Sequence, residues 1–257
     1  MRFPCLIPCI ALTWLLNSWS FAMPAAKPVS TELSINPIWV ATDLWPGFTE
    51  PSQQGAYLHL MQLIFPAETE VQVYFTSFIR SILMTEQQQV HMVIGIGAKD
   101  SNSLLLSEWP FDIDKIALLH LAGQLHLSDK ADLAKLRLAT QRGYNYDQLL
   151  NITTESYEVD SIHTGVSLVK SNRVDAFLVE KAELRHQLQE QELSGLELVF
   201  LKGEPIYMGF ADNEAGRQLK AWWDQHYQHF YREGLLLPLY QQYPNFHLPE
   251  PIEPYPE

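Results

Sequence analysis

Few residues in this chain have the type and spacing to do chemistry. Arg80 stands two residues after Phe78, at the start of a segment with helical spacing, where its guanidinium can anchor an anion or close a surface salt bridge. Gly143, Tyr144 and Asn145 lead into another helical segment. Glycine permits the tight turn there, and free N–H groups at a helix start favour an anion; the same three residues also read as an ordinary helix entry capped by Asn145. His226 and His229, three apart, could chelate a metal, but no HExxH, third ligand or cysteine accompanies them. Glu183 and Asp175 make no acid/base pair. GxSxG, the phosphate loop and GxGxxG are absent, and Gly95-Ile96-Gly97 lacks the third glycine. This inventory points to binding rather than catalysis, with no cofactor and no metal.

Both cysteines, Cys5 and Cys9, lie in MRFPCLIPCIALTWLLNSWSFAMPAA. Arg2, the apolar stretch after it and Ser20-Phe21-Ala22 make a secretory signal over 1–22 the expected reading. Pro8 and the short apolar run argue against a membrane anchor, which needs about 20 apolar residues. Without 1–22 the chain has no cysteine, which removes disulfides, thiol nucleophiles and cysteine-ligated metals together. The 257 residues carry 30 acidic and 17 basic groups, a net of −13; the signal takes Arg2 with it, leaving −14. Such a balance argues against nucleic acid, whose phosphates need Lys and Arg, and against anionic membrane surfaces.

The elements that must position these residues alternate in type. Strands are expected at 38–42, 71–75, 92–97, 117–123, 136–140, 157–159, 174–179, 196–201 and 206–211. Helices are expected at 55–65, 78–87, from about 146, at 162–171, 181–191, 214–232 and 236–243. Residues 23–36 read as a flexible leader and the Pro-rich end as irregular. Leu219, Trp222, Trp223, Tyr227 and Phe230 recur at helical spacing and read as a packing face. Strands alternating with short helices imply mostly parallel sheet in an α/β fold. Two such groups imply two lobes, with a cleft off the carboxyl ends of their strands.

Five segments in order carry a resemblance: ATDLWPGF (41–48), GAYLHLMQLIF (55–65), FTSFIRSIL (75–83), QRGYNYDQL (141–149) and SNRVDAFLVEKAEL (171–184). Together they resemble the family 3 extracellular solute-binding proteins, of the periplasmic-binding-protein-like type II fold, over about 38–244. The resemblance implies two doubly wound α/β lobes joined by a two-strand hinge. Lobe 1 would comprise 37–118 plus 208–257 and lobe 2 would be 119–207, with crossings near 117–121 and 206–210. It further implies a monomer in the periplasm, closing on a small polar ligand and delivering it to the membrane permease of an ABC-type importer. A sensory or regulatory module for a membrane receptor is the alternative, and a dehydratase-like enzyme a second.

Residue by residue, the resemblance places Trp45 against the ligand, where an indole face attracts an apolar or cationic group by about 0.5–2 kcal/mol. Packing of the loop on its own lobe is the other reading of Trp45, and Phe48 reads as core. The loop carrying Gly97 and Lys99 has Asp100 where the amino-acid binders carry an Arg for the ligand carboxylate. A bidentate Arg–carboxylate bond contributes roughly 1.5–3 kcal/mol, so its absence argues against an ordinary amino-acid ligand unless Arg80 substitutes. Lys99 could supply a point charge but no fork. Tyr144, Asn145 and possible stacking by Tyr146 belong to the second lobe. Glu180, five residues after Asp175, occupies the position of the family's amine-binding acid, and also reads as a helix-start Glu favoured by the dipole. Asp175 reads as a structural turn residue.

Overall fold

Short β-branched and aromatic runs form strands, and amphipathic segments of about ten residues form the helices between them. The computed structural model describes residues 33–125, 130–144, 146–153, 156–243 and 245–249. The expected signal, leader residues 23–32, Asn145 and the chain after 249 lie outside the described residues. In chain order the elements are β1 (Ile38–Thr42), α1 (Ala56–Ile64), β2 (Val71–Phe75), α2 (Phe78–Glu86), β3 (Met92–Gly97), β4 (Leu105–Leu106) and β5 (Asp112–Leu121). A 3₁₀ turn (Lys130–Lys135) follows, then β6 (Leu138–Gln141), α3 (Tyr146–Leu150), β7 (Ser156–Val159), α4 (Ile162–Lys170), β8 (Ala176–Glu180), α5 (Lys181–Gln187), β9 (Leu196–Phe210), α6 (Glu214–Arg232) and α7 (Leu237–Gln242).

Strand order is β2-β1-β3-β9-β5-β8-β6-β7, with β4 pairing β9. Parallel pairs β1–β2, β1–β3, β6–β7 and β6–β8 flank a central antiparallel ribbon, β5 with β9. On the inner strands β3 and β8 the two faces of the pleat feed different cores. On β3, Met92 and Ile94 join the core built with α1 and α6, whereas Val93 and, past the register shift around Gly95, Ile96 pack with Phe78 and Ile82 of α2. On β8, Phe177 and Val179 face α4, whereas Ala176 and Leu178 face Leu138 and Tyr146. Burial on both faces explains why these strands read as nearly continuous apolar runs.

The cores fall into two groups along the ribbon. Phe111, Ile206 and Phe210 belong to the first group, and Ile116, Leu118 and Leu201 to the second. The changeover between these cores thus falls at 112–115 and 202–205. Two differences from the expected elements have clear causes. Residues 196–201 and 206–211, read as separate strands, form one 15-residue strand, because pairing with β5 carries the chain through Gly203 and Pro205. Leu33 and Ile35, at the end of the expected leader, are partly buried against the first core rather than flexible in solvent. Leu219, Trp222, Trp223 and Tyr227 are buried as the packing face of α6, as their spacing predicts. Among the described residues, no helix is long and apolar enough to cross a membrane.

Candidate functional site

The carboxyl ends of β1, β3 and β8 and the middle of the ribbon surround one cavity of about 80 Å³. From the first half it takes the loop after β1. Trp45 N–H donates to Thr49 Oγ1 (2.9 Å), Thr49 Oγ1 donates to the Asp43 carbonyl (2.7 Å), and Gly47 N–H donates to Glu50 (2.8 Å). Asp43 Oδ2 in turn accepts from Phe78 N–H (2.9 Å), fixing the start of α2 to the same loop. The Trp45 ring lies over Gly95, where φ is +79° and an added Cβ would come within 2.8 Å of the indole. Bare backbone at Gly95 is therefore what lets the indole reach the cavity.

From the second half come Tyr144 and Tyr146, at the Gly143 turn into α3, and Glu180 and Glu183, at the β8–α5 junction. Trp45 Nε1 donates to the Tyr144 hydroxyl (2.9 Å) across the gap, and Phe78 stacks on Tyr144 at 5.6 Å. These rings separate the cavity from a larger outer chamber of about 350 Å³, lined by Asp43, Ile79, Gln141, Arg142 and Gln187 among others. The two halves touch one another here.

Acidity dominates the lining. Asp100, Asp114, Glu180, Glu183 and Glu204 line the cavity, with Lys99 as the one base among the described lining residues. Asp114 on β5 is the direct cross-strand partner of Glu204 on β9. Lys202 pairs with Glu204 at 3.0 Å, and the carboxyls whose charges act on Asp114 are Glu180, Asp112, Glu183 and Asp100. Glu180 caps α5: Oε2 accepts from Glu183 N–H (2.6 Å), and Oε1 accepts from Lys115 N–H (3.2 Å). Asp100 Oδ2 accepts from Gly97 N–H (2.7 Å). Burial pushes the Asp100 carboxyl up to about 6 and that of Glu183 to about 7. Burial, then the charge of Glu180, holds Asp114 well above the ordinary carboxylate range. Burial also raises Glu180, against the opposing backbone N–H bonds.

The structure brings Trp45, Gly97, Lys99, Tyr144 and Glu180 of the expected residues to this cavity. Arg80 is exposed on α2 and lines neither the cavity nor the outer chamber, because the helix turns Phe78, two residues earlier, inward instead. Asn145 lies outside the described residues. Phe48 serves both core and cavity. Asp175 is structural, accepting from the Arg137 backbone N–H at 2.7 Å and pairing with its guanidinium at 2.6 Å. His226 Nδ1 is 2.8 Å from the Trp222 carbonyl, within its own helix. The sequence reading missed Asp114 and Glu204, whose segments read as loops, and set Glu183 aside. Their signal is a run of charged residues inside what proves to be one strand pair.

No family model matches the chain, and no curated protein matches it significantly. Solved structures do. The sensor domain of a histidine kinase, described as similar to periplasmic binding proteins, aligns with a TM-score of 0.69 at 15% identity, over 83% of this chain and 98% of that one. The chain has the periplasmic-binding-protein-like type II fold. The GluR0 ligand-binding core from Nostoc punctiforme, in complex with L-glutamate, aligns with a TM-score of 0.64 at 19% identity, over 81% of this chain and all of that one. The substrate-binding protein of an amino acid ABC transporter gives 0.65 at 15% identity, over 81% and 99%. At these identities the likeness is one of fold. The two-lobed architecture of such proteins matches the two groups of cores and the ribbon between them.

Proposed function

We propose that this chain is an exported solute-binding protein that closes two lobes over a small polar ligand, leaves it chemically unchanged, and presents it to an ABC-type importer in the membrane. The observation that carries this reading is a cavity walled from both halves, with Trp45 and Tyr144 hydrogen-bonded across it. A ligand shifts such a pair only by its differential affinity for the open and closed forms, and groups contributed by both lobes supply that difference. The ribbon at 112–115 and 202–205 is the hinge, lobe 2 is the stretch between, and the signal-like segment 1–22 supports a periplasmic location. An ordinary α-amino acid is not the ligand, since the described lining offers no guanidinium for its carboxylate. A sensory role for a membrane receptor is the second reading, favoured by the likeness to a kinase sensor domain.

Small-angle scattering and tryptophan fluorescence across a broad panel of small solutes test the reading. At least one solute is expected to reduce the radius of gyration, quench or shift the emission of Trp45, and leave unaltered from the protein. A panel without any binder, or a bound solute that is chemically converted, overturns it. Crosslinking the loaded protein in its native membrane then separates a permease from a receptor as the partner.

A further inference from the structure

We infer that the cavity selects a small organic cation bearing no carboxylate, an alkylamine or guanidine, with Glu180, Glu183 and Asp114 as its counter-charges. This rests on the solute-binding reading and narrows it to a ligand class. Backbone N–H groups orient the Glu180 and Asp100 carboxylates without neutralising them, and Lys202 offsets Glu204 alone. Asp114 lines the same small cavity as Glu180, Glu183 and Asp100, and among the described residues no lysine or arginine is shown paired with it. Such a concentration of acids in a folded chain is a local conflict that marks a functional position, and a bound cation resolves it.

One acceptor in the cavity makes the independent observation. The Tyr146 hydroxyl, on a side chain 5% exposed that lines the cavity, has no hydrogen-bond partner among the described residues. Gln141, which lines the neighbouring chamber and not the cavity, donates from Nε2 to Glu183 and so orients that carboxylate. A buried polar group left unpaired is costly, and a hydroxyl oxygen awaiting a donor beside a ring of carboxyls calls for a donor-rich guest. An ammonium or guanidinium carries donors only. The faces of Trp45, Phe78 and Tyr144 around it suit a cation further. A bare metal ion fits less well, since no three potential metal ligands converge among the described residues. The cavity has room for roughly five to eight water-sized positions, which bounds the guest to about that many heavy atoms.

Calorimetric titration of the protein at pH 7.5 and low salt tests this with matched probes: propylamine, putrescine and methylguanidine against alanine, ornithine, propionate and propanol. A cationic probe is expected to bind at least ~10-fold more tightly than its carboxylate-bearing counterpart. Glu180→Gln and Asp114→Asn are each expected to weaken it by ~10-fold, and Tyr146→Phe by ~3-fold. Because Glu180 also caps α5, Asp114→Asn, which touches no cap, keeps the test valid if Glu180→Gln melts early. Amino acids or propionate binding as tightly as the amines overturns the inference, as does an unchanged affinity in a folded Asp114→Asn variant. If a neutral or anionic solute closes the lobes while no cation binds, the cation inference fails and the solute-binding reading stands. If neither these probes nor the broad panel bind, both fail.

Discussion

Asp112 is 2% exposed and accepts from the Tyr57 hydroxyl (2.7 Å) and from the backbone N–H groups of Ile113 and His247 (both 2.8 Å). Burial still pushes it up to about 7. Asp100 and Glu183 are raised to about 6 and 7, and Asp114 and Glu180 shift the same way. The folded state therefore keeps protons that the unfolded chain has released above its ordinary carboxyl range. Stability falls as pH rises through that window, by up to about 1.4 kcal/mol per pH unit for each group. His91 and His247, depressed by burial, oppose this below about pH 6.5, but they are two against five. The ligand-free protein is thus expected to melt at a lower temperature at pH 8 than at pH 5, with Asp112→Asn flattening the slope; a melting temperature that rises across this range contradicts the assignment. Trp45 and Glu180 were legible at this scale because loop and strand-end motifs mark them. Asp114 and Glu204 were not, since only the pairing of β5 with β9 puts them face to face.

The turn between β6 and α3 owes its shape to Gly143, at φ +88°, where an added Cβ would stand 2.5 Å from Ile79 Cγ1 on α2. Alanine there meets both backbone strain and a side chain of the opposite lobe. Gly143→Ala is expected to hold the lobes apart, raising the radius of gyration in saturating ligand and weakening binding by ~10-fold. Adding Ile79→Ala should recover part of the affinity; no recovery would assign the loss to the backbone alone. Most elements could be read from hydrophobic pattern, since β1, β3, β6 and β8 are largely buried and helices such as α1, α4 and α6 each have one apolar face. The ribbon could not. Residues 112–115 and 202–205 contain acids, Gly203 and Pro205, poor strand formers whose extended state comes from long-range pairing rather than propensity.

On the solute-binding reading, Trp45 Nε1 donating to the Tyr144 hydroxyl, with Phe78 stacked behind, holds the closed form of the whole molecule. One such bond contributes about 0.5–1.5 kcal/mol, a factor of roughly 2 to 13 in the balance of closed and open forms. Tyr144→Phe keeps the ring and loses the bond, so single-molecule distances between dyes on the two lobes should show more open ligand-free protein by that factor. An unaltered distribution would mean the stacked rings alone keep the mouth shut. The central ribbon has a last consequence. Asp112 and Ile206 are direct partners across it, so on the proposed division the chain departs the first lobe and returns to it through neighbouring doorways. Everything between is a cassette with adjacent ends. Exchanging it for its counterpart from another protein of this architecture takes two splices side by side, and would transplant Tyr146, Glu180 and Glu183 while Trp45 and Asp100 stay with the host.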